Sequence, residues 1–226
     1  LEAARVSALA SHAVLQITTS RGELPAALTE LIGRAPTRFA AELADKVHQF
    51  LPGTRVGLQR KLGDWLDGGV GGIFAVLAGP GFGKTGFAAS VCAAQAEVVL
   101  AVHLCRSDDE LSRNPAAIVK SLAAQLARSV PEYREALVAH IQAKYFEVLR
   151  MLAHSQLSPL RLLEDLVVAP LRAALQNKVA PRGLIVIDAL DASDFSCVLE
   201  TSSSCYKDRQ NVCLNDRLTK AKIRLM

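Results

Sequence analysis

The chain has 226 residues, of which 50% are hydrophobic and 21% are charged, and these proportions are typical of a soluble globular protein with a substantial core. The 26 lysines and arginines only slightly outnumber the 22 aspartates and glutamates, and the charges are scattered. This balance argues against nucleic acid or an anionic membrane as the partner. No run of the sequence approaches the roughly 18 apolar residues that a membrane-spanning helix needs.

The cysteines indicate a reducing compartment. Their number is odd and none of them forms a Cys-x-x-Cys pair, so neither a disulfide framework nor a zinc site is predicted. We therefore expect a cytoplasmic protein. The cysteines are Cys92, Cys105, Cys197, Cys205 and Cys213.

Residues 1–51 are predicted to form a helical N-terminal segment. Apolar residues recur there at steps of three and four, as in Phe39, Leu43 and Val47. Pro52 and Gly53 end this pattern. The simplest interpretation is a helical bundle that packs against the next domain.

Residues 52–192 alternate between helical and strand-like patterns. Three short apolar runs are typical of strands buried on both faces: Ile73–Leu77, Val98–Leu104 and Leu184–Ile187. Prolines open the helices expected between them, and the helix that follows Ser158 is expected to be kinked near Pro170. This order predicts an α/β domain with a parallel sheet and helical crossovers. Residues 193–226 lose the periodicity and are predicted to be an irregular tail.

The strongest chemical signal is a P-loop pattern between the first predicted strand and the next helix. Glycines allow consecutive backbone N–H groups to surround phosphate oxygens, and the start of a helix adds partial positive charge. The lysine of this pattern reaches the β- and γ-phosphates, and the following hydroxyl binds magnesium. The alternative is a glycine turn with a surface lysine. The predicted nucleotide-binding residues are Gly79, Pro80, Gly81, Phe82, Gly83, Lys84, Thr85 and Gly86.

A second signal is Asp188, which follows the apolar run Leu184–Ile187. A carboxylate at the carboxyl end of a parallel strand lies where ligands of open α/β sheets bind. Asp188 and Thr85 are therefore predicted to hold Mg²⁺. The alternative is that Asp188 only begins a turn.

These motifs, in this order, resemble the STAND class of P-loop NTPases, the NACHT-like switch ATPases. Residues 50–192 carry the resemblance. Besides the P-loop, the similar segments are Pro52-Gly53-Thr54-Arg55 with Trp65-Leu66, His103-Leu104-Cys105, the helix Pro115–Leu126 including Gln125-Leu126, Pro170-Leu171 and Ile187-Asp188-Ala189-Leu190-Asp191.

The resemblance implies a three-layer P-loop NTPase fold, ATP with Mg²⁺ as cofactors, and a switch module that self-associates or binds partner proteins. It implies that Arg55 lies near the nucleotide, with a solvated surface arginine as the alternative. Asp191 becomes the candidate catalytic residue. The family usually has Glu at the next position, where this chain has Ala192, so hydrolysis is expected to be slow or absent. The resemblance also predicts a chain truncated after the Asp188 motif.

Two other interpretations were kept open. One is a non-cycling interaction scaffold that has lost ATPase activity, which Ala192 favours and the complete P-loop opposes. The other is a small-molecule kinase, which would need lid arginines to clamp the phosphates. His103 lies on an apolar strand and is expected to be a core histidine rather than a catalyst.

Overall fold

The computed structural model of the chain describes residues 32–33, 38–51, 53–68, 72–144, 158–175, 183–190 and 224–225. Most of these residues are helical, and four short strands form a parallel sheet. In chain order the elements are α1 (Arg38–Gln49), α2 (Val56–Asp67), β1 (Gly72–Ile73), α3 (Lys84–Ala94), β2 (Val99–Leu104), α4 (Glu110–Arg113), α5 (Pro115–Ser129), α6 (Pro131–Ala143), α7 (Pro159–Leu163), a π-helical segment (Glu164–Val168), α8 (Ala169–Leu175), β3 (Leu184–Asp188) and β4 (Arg224–Leu225).

The strands lie in the order β1-β4-β3-β2. β2 and β3 share the longest ladder, which ends where Leu104 lies opposite Asp188. β4 lies between β1 and β3 and pairs with β3 at Leu184 and Ile185. Because every pair is parallel, the loop after β1 and Asp188 at the end of β3 lie at the same edge of the sheet.

Two hydrophobic cores cover the sheet, because side chains alternate along β3. Leu184 and Val186 belong to the core that also contains Phe39 and Leu43 of α1 and Phe87 of α3. The next residue, Ile185, belongs to the core built by α5, α6 and the helical stretch of residues 159–175. The helix α1 therefore packs directly onto the helix that follows the phosphate loop.

Two predicted strands are confirmed: Val98–Leu104 and Leu184–Ile187 correspond to β2 and β3, and each end lies within one residue of the expected position. Asn114 caps α5 as its sequence predicts, since its side chain accepts hydrogen bonds from the N–H groups of Ala116 and Ala117, with Pro115 in the first turn.

The prediction of a buried strand over Ile73–Leu77 is wrong in its length. The strand covers only Gly72–Ile73, residues 74–79 have no regular structure, and Leu77 is 92% exposed. The neighbouring strand β4 has only two residues, so within the described residues the backbone beyond Ile73 has no ladder to join. An apolar run forms a strand only where another strand accepts its hydrogen bonds.

A π-helical turn lies just before Pro170, where the sequence predicts a kink, and the kink itself stays a prediction. The Ala169 N–H donates to the carbonyl of Glu164, five residues back. Pro170 has no N–H and cannot supply the α-helical hydrogen bond to the carbonyl of Leu166. The hydroxyl of Tyr133 on α6 donates to that carbonyl, so the side chain of one helix compensates for the proline of another.

Candidate functional site

The phosphate loop lies at the surface, between the end of β1 and the start of α3. Gly81 and Gly83 have φ angles of +78° and +73°, values that L side chains rarely adopt. The helix α3 begins at Lys84, directly after Gly83. The sequence therefore places glycine where the backbone must turn inward before the positive end of a helix.

Lys84 folds back across this loop. Its ammonium Nζ lies 2.7 Å from the carbonyl oxygen of Ala78 and 3.2 Å from that of Gly79. Both of these acceptors are neutral carbonyl oxygens of the loop. An anion that entered the loop would find this cation already in place.

The other loop residues differ in exposure. Thr85 and Gly86 are partly buried in the first turn of α3, whereas Pro80 is exposed. Phe82 is 70% exposed, and its ring lies over Gly79, where an added Cβ would be 3.3 Å from the ring. The exposed aromatic ring thus covers the outside of the loop.

Arg55 reaches this loop from 27 residues earlier in the chain. Its Nη2 donates to the carbonyl oxygen of Phe82 at 3.0 Å, and its guanidinium lies 5.5 Å from the ring centroid of Phe50. The structure therefore places Arg55 against the P-loop, and its position near a nucleotide stays a prediction. Phe50, the residue directly after α1, also belongs to this site, although no sequence motif indicates it. Its position two residues before Pro52-Gly53 was the only available signal.

Asp188 ends β3 and is only 8% exposed. Its carbonyl accepts the N–H of Cys105 at 3.0 Å, which holds the end of β3 against β2. Burial, together with the nearby Asp188 charge, raises the pKa of Cys92 on α3 to about 12. Asp188 thus lies beside the phosphate-loop helix, and Ala189 after it has a φ of +54°.

The predicted magnesium site of Thr85 and Asp188 stays a prediction. Within the described residues, no group of three or more His, Cys, Asp or Glu side chains could hold a metal ion. A magnesium ion bound mainly through a nucleotide would need fewer protein ligands. Asp191, the candidate catalytic residue, lies outside the described residues.

His103 is buried, as expected of a core histidine. Its ring packs edge-on against Phe39, with 5.0 Å between centroids, and its Nε2 lies 2.9 Å from the carbonyl oxygen of Ser112. These contacts tie α1 and α4 to β2. They give His103 a structural role.

Comparison with protein families places this geometry in context. A family model described as nephrocystin 3, N-terminal, matches residues 57–220, which is more than half of the chain. The chain belongs to this family. The nephrocystin 3 N-terminal region is NACHT-like and related to P-loop NTPases, and it fits a scaffold or signalling protein. No curated protein and no solved structure matches the chain significantly.

The nephrocystin 3 N-terminal match includes the phosphate loop and Asp188 but begins within α2, after Arg55. It continues to residue 220, through most of the segment that the sequence pattern left without periodicity.

Among the helices of the described residues, none is long and apolar enough to cross a membrane.

Proposed function

We propose that this chain binds ATP with Mg²⁺ through the phosphate loop and acts as a nucleotide-dependent conformational switch in a scaffold or signalling protein. The observation that carries the proposal is the ammonium of Lys84, which lies inside a glycine loop at the start of α3 with only carbonyl oxygens as acceptors. Phosphate oxygens are stronger acceptors for an ammonium than neutral carbonyls. A nucleotide would therefore replace Ala78 and Gly79 as the partners of Lys84.

The residues of the site suit the parts of a magnesium nucleotide. The glycine loop and the start of α3 supply N–H groups to the phosphates, and Lys84 supplies a positive charge. Thr85 and Asp188 are the residues that would hold Mg²⁺, which binds the phosphates and neutralises their charge. A three-layer P-loop NTPase fold is part of this proposal, and the helices on both sides of the sheet support it.

A switch requires that ATP and ADP be bound differently, since a ligand shifts an equilibrium only by its difference in affinity for the two states. We propose slow or absent hydrolysis, because Ala192 stands where the STAND-class NTPases that the chain resembles usually have Glu. The chain would then hold ATP long enough for partner proteins, or a second copy, to bind the ATP state.

Calorimetry with Mg·ATP on the full chain tests this function. Lys84→Ala removes a charge-assisted contact of about 1.5–3 kcal/mol, so it should weaken binding by roughly 10- to 100-fold. The matched control is Lys61→Ala, which removes an exposed lysine of α2 and should leave the affinity unchanged. Equal affinity of wild type and Lys84→Ala would refute the P-loop assignment.

Two further measurements test magnesium binding and ATP hydrolysis. Asp188→Asn should weaken binding of Mg·ATP more than binding of metal-free ATP. Equal losses would instead assign Asp188 a structural role. The rate of phosphate release by the wild type under single-turnover conditions should be barely above that of Lys84→Ala. Brisk release that Lys84→Ala abolishes would refute the proposal of slow hydrolysis, while no binding of nucleotide at all would favour the interaction scaffold.

A further inference from the structure

The guanidinium of Arg55 contacts the phosphate loop at Phe82 and Gly83. Its Nη2 donates to the carbonyl of Phe82 and occupies the space beside Gly83, where an added Cβ would lie only 2.3 Å from that nitrogen. The ring of Phe50 covers the other side of the guanidinium. Arg55 thus joins the end of α1 to the loop.

The turn that carries Arg55 adopts an unusual backbone conformation. Arg55 has a φ of +57°, which is sterically disfavoured for a residue with a Cβ, and Gly53 before it has a φ of +78°. The Thr54 hydroxyl donates to the carbonyl of Leu51 at 2.7 Å and closes the turn. This conformation directs the arginine across the surface to the loop, and the contact with Phe82 stabilises it there.

The contact between Arg55 and Phe82 acts on the peptide bond between Phe82 and Gly83. A trans peptide is planar, and its C=O and N–H point in opposite directions. Because Arg55 binds the Phe82 oxygen, the N–H of Gly83 points away from the guanidinium. That N–H is one of the donors that a phosphate nest requires.

We propose that Arg55 is a positioning residue of the phosphate loop, which orients the N–H of Gly83 by holding the carbonyl of Phe82. In this role the guanidinium does not need to touch the nucleotide, because it binds the carbonyl edge of the peptide, opposite the N–H group. The contact with Phe50 also makes the loop sensitive to the position of α1. The nucleotide part of the test rests on the proposed function, and the part without nucleotide does not.

The decisive measurement is ¹⁵N relaxation of the Gly81 and Gly83 amides in the nucleotide-free full chain. In the wild type we expect order parameters of about 0.85, and in Arg55→Met values below about 0.6, because the loop loses its outer contact. Arg55→Lys keeps a positively charged donor group but loses the planar guanidinium, and should give an intermediate value. Arg60→Met removes an exposed arginine of α2 and should change nothing. Unchanged order parameters in Arg55→Met would overturn the proposal.

Nucleotide affinity distinguishes a positioning residue from a ligand of the γ-phosphate. Since the N–H of Gly83 would serve ATP and ADP alike, Arg55→Met should weaken both by the same factor, about 3- to 10-fold. Loss of affinity for ATP alone would overturn the proposal in favour of direct contact with the γ-phosphate. If the wild type binds neither nucleotide, the proposed function fails, and the relaxation measurement still decides the role of Arg55.

Discussion

On the α5 side of the sheet, buried polar side chains pair with backbone groups, whereas on the phosphate-loop side charged side chains pair with carbonyls at the surface. Gln125 is buried, and its amide accepts from the N–H of Val102 at 2.9 Å and donates to the carbonyl of Val102 at 2.7 Å. Lys84 and Arg55 instead donate to carbonyls of an exposed glycine loop. The first arrangement excludes ligands, while the second can exchange its acceptors for a ligand.

The contacts of Gln125 also protect β2, an edge strand of the sheet, from pairing with a further strand. The amide of Gln125 reproduces the two hydrogen bonds that a further strand would make with Val102, and the Ser129 hydroxyl donates to the carbonyl of Leu100 at 3.0 Å. The helix α5 therefore takes the place of another strand at this edge. The α5 side of the sheet therefore supports the ladder that ends at Asp188.

The largest expected change in the free energy of unfolding is that of Gln125→Leu, on the α5 side of the sheet. The substitution keeps the apolar volume but leaves the buried N–H and C=O of Val102 without their partner. It should lower the free energy of unfolding by about 2–4 kcal/mol, because each buried group left without a hydrogen bond costs about 1–3 kcal/mol. Urea denaturation followed by circular dichroism measures the change.

The matched control for Gln125→Leu is Gln142→Leu, at an exposed position of α6. It should change the free energy of unfolding by less than about 0.5 kcal/mol. If both variants unfold at the same urea concentration as the wild type, the pairing with Val102 does not stabilise the sheet edge.

Tyr133→Phe, on the α5 side of the sheet, should cause the next largest change in the free energy of unfolding. Its hydroxyl donates to the carbonyl of Leu166, which Pro170 cannot reach with an N–H. Loss of the hydroxyl should cost about 1–2 kcal/mol of unfolding free energy. In a Pro170→Ala background, where residue 170 has an N–H, the same substitution should cost less. An equal cost in both backgrounds would show that the proline is not the reason for the contact.

The smallest effect, over the pH range up to 10, concerns Cys92 in the core on the phosphate-loop side of the sheet. Its folded-state pKa is raised from 9.0 to about 12 by burial and by the charge of Asp188, so the unfolded chain loses this proton first as the pH rises. Stability from this group is complete below about pH 9 and falls between pH 9 and 12, by about 1.4 kcal/mol per pH unit.

Denaturant unfolding between pH 8 and 10 measures the effect of Cys92. Cys92→Ala should lessen the loss of stability at pH 10 by about 1 kcal/mol. Asp188→Asn should lessen it by a smaller amount, since burial is the larger cause of the shift. A pH dependence that neither variant alters would contradict the position of Asp188 beside α3.

The sequence predicted the parts of the site that depend on neighbouring residues. Gly81 and Gly83 adopt the positive φ angles that the P-loop pattern requires, α3 begins at Lys84, and β3 ends at Asp188. These features follow from backbone sterics and from the alternation of apolar residues, both of which act over a few positions. The resemblance to STAND-class NTPases predicts that Arg55 lies near the nucleotide, and this stays a prediction.

Only the tertiary structure decided which distant groups meet. Arg55 and Phe82 are 27 residues apart and Gln125 and Val102 are 23 apart, and no periodicity specifies either pair. The apolar run after Ile73 has the composition of a strand, but its hydrogen bonds need a neighbour, and β4 pairs with only two residues. Local sequence fixes the conformations that a segment can adopt, whereas pairing and burial depend on what the rest of the chain places beside it.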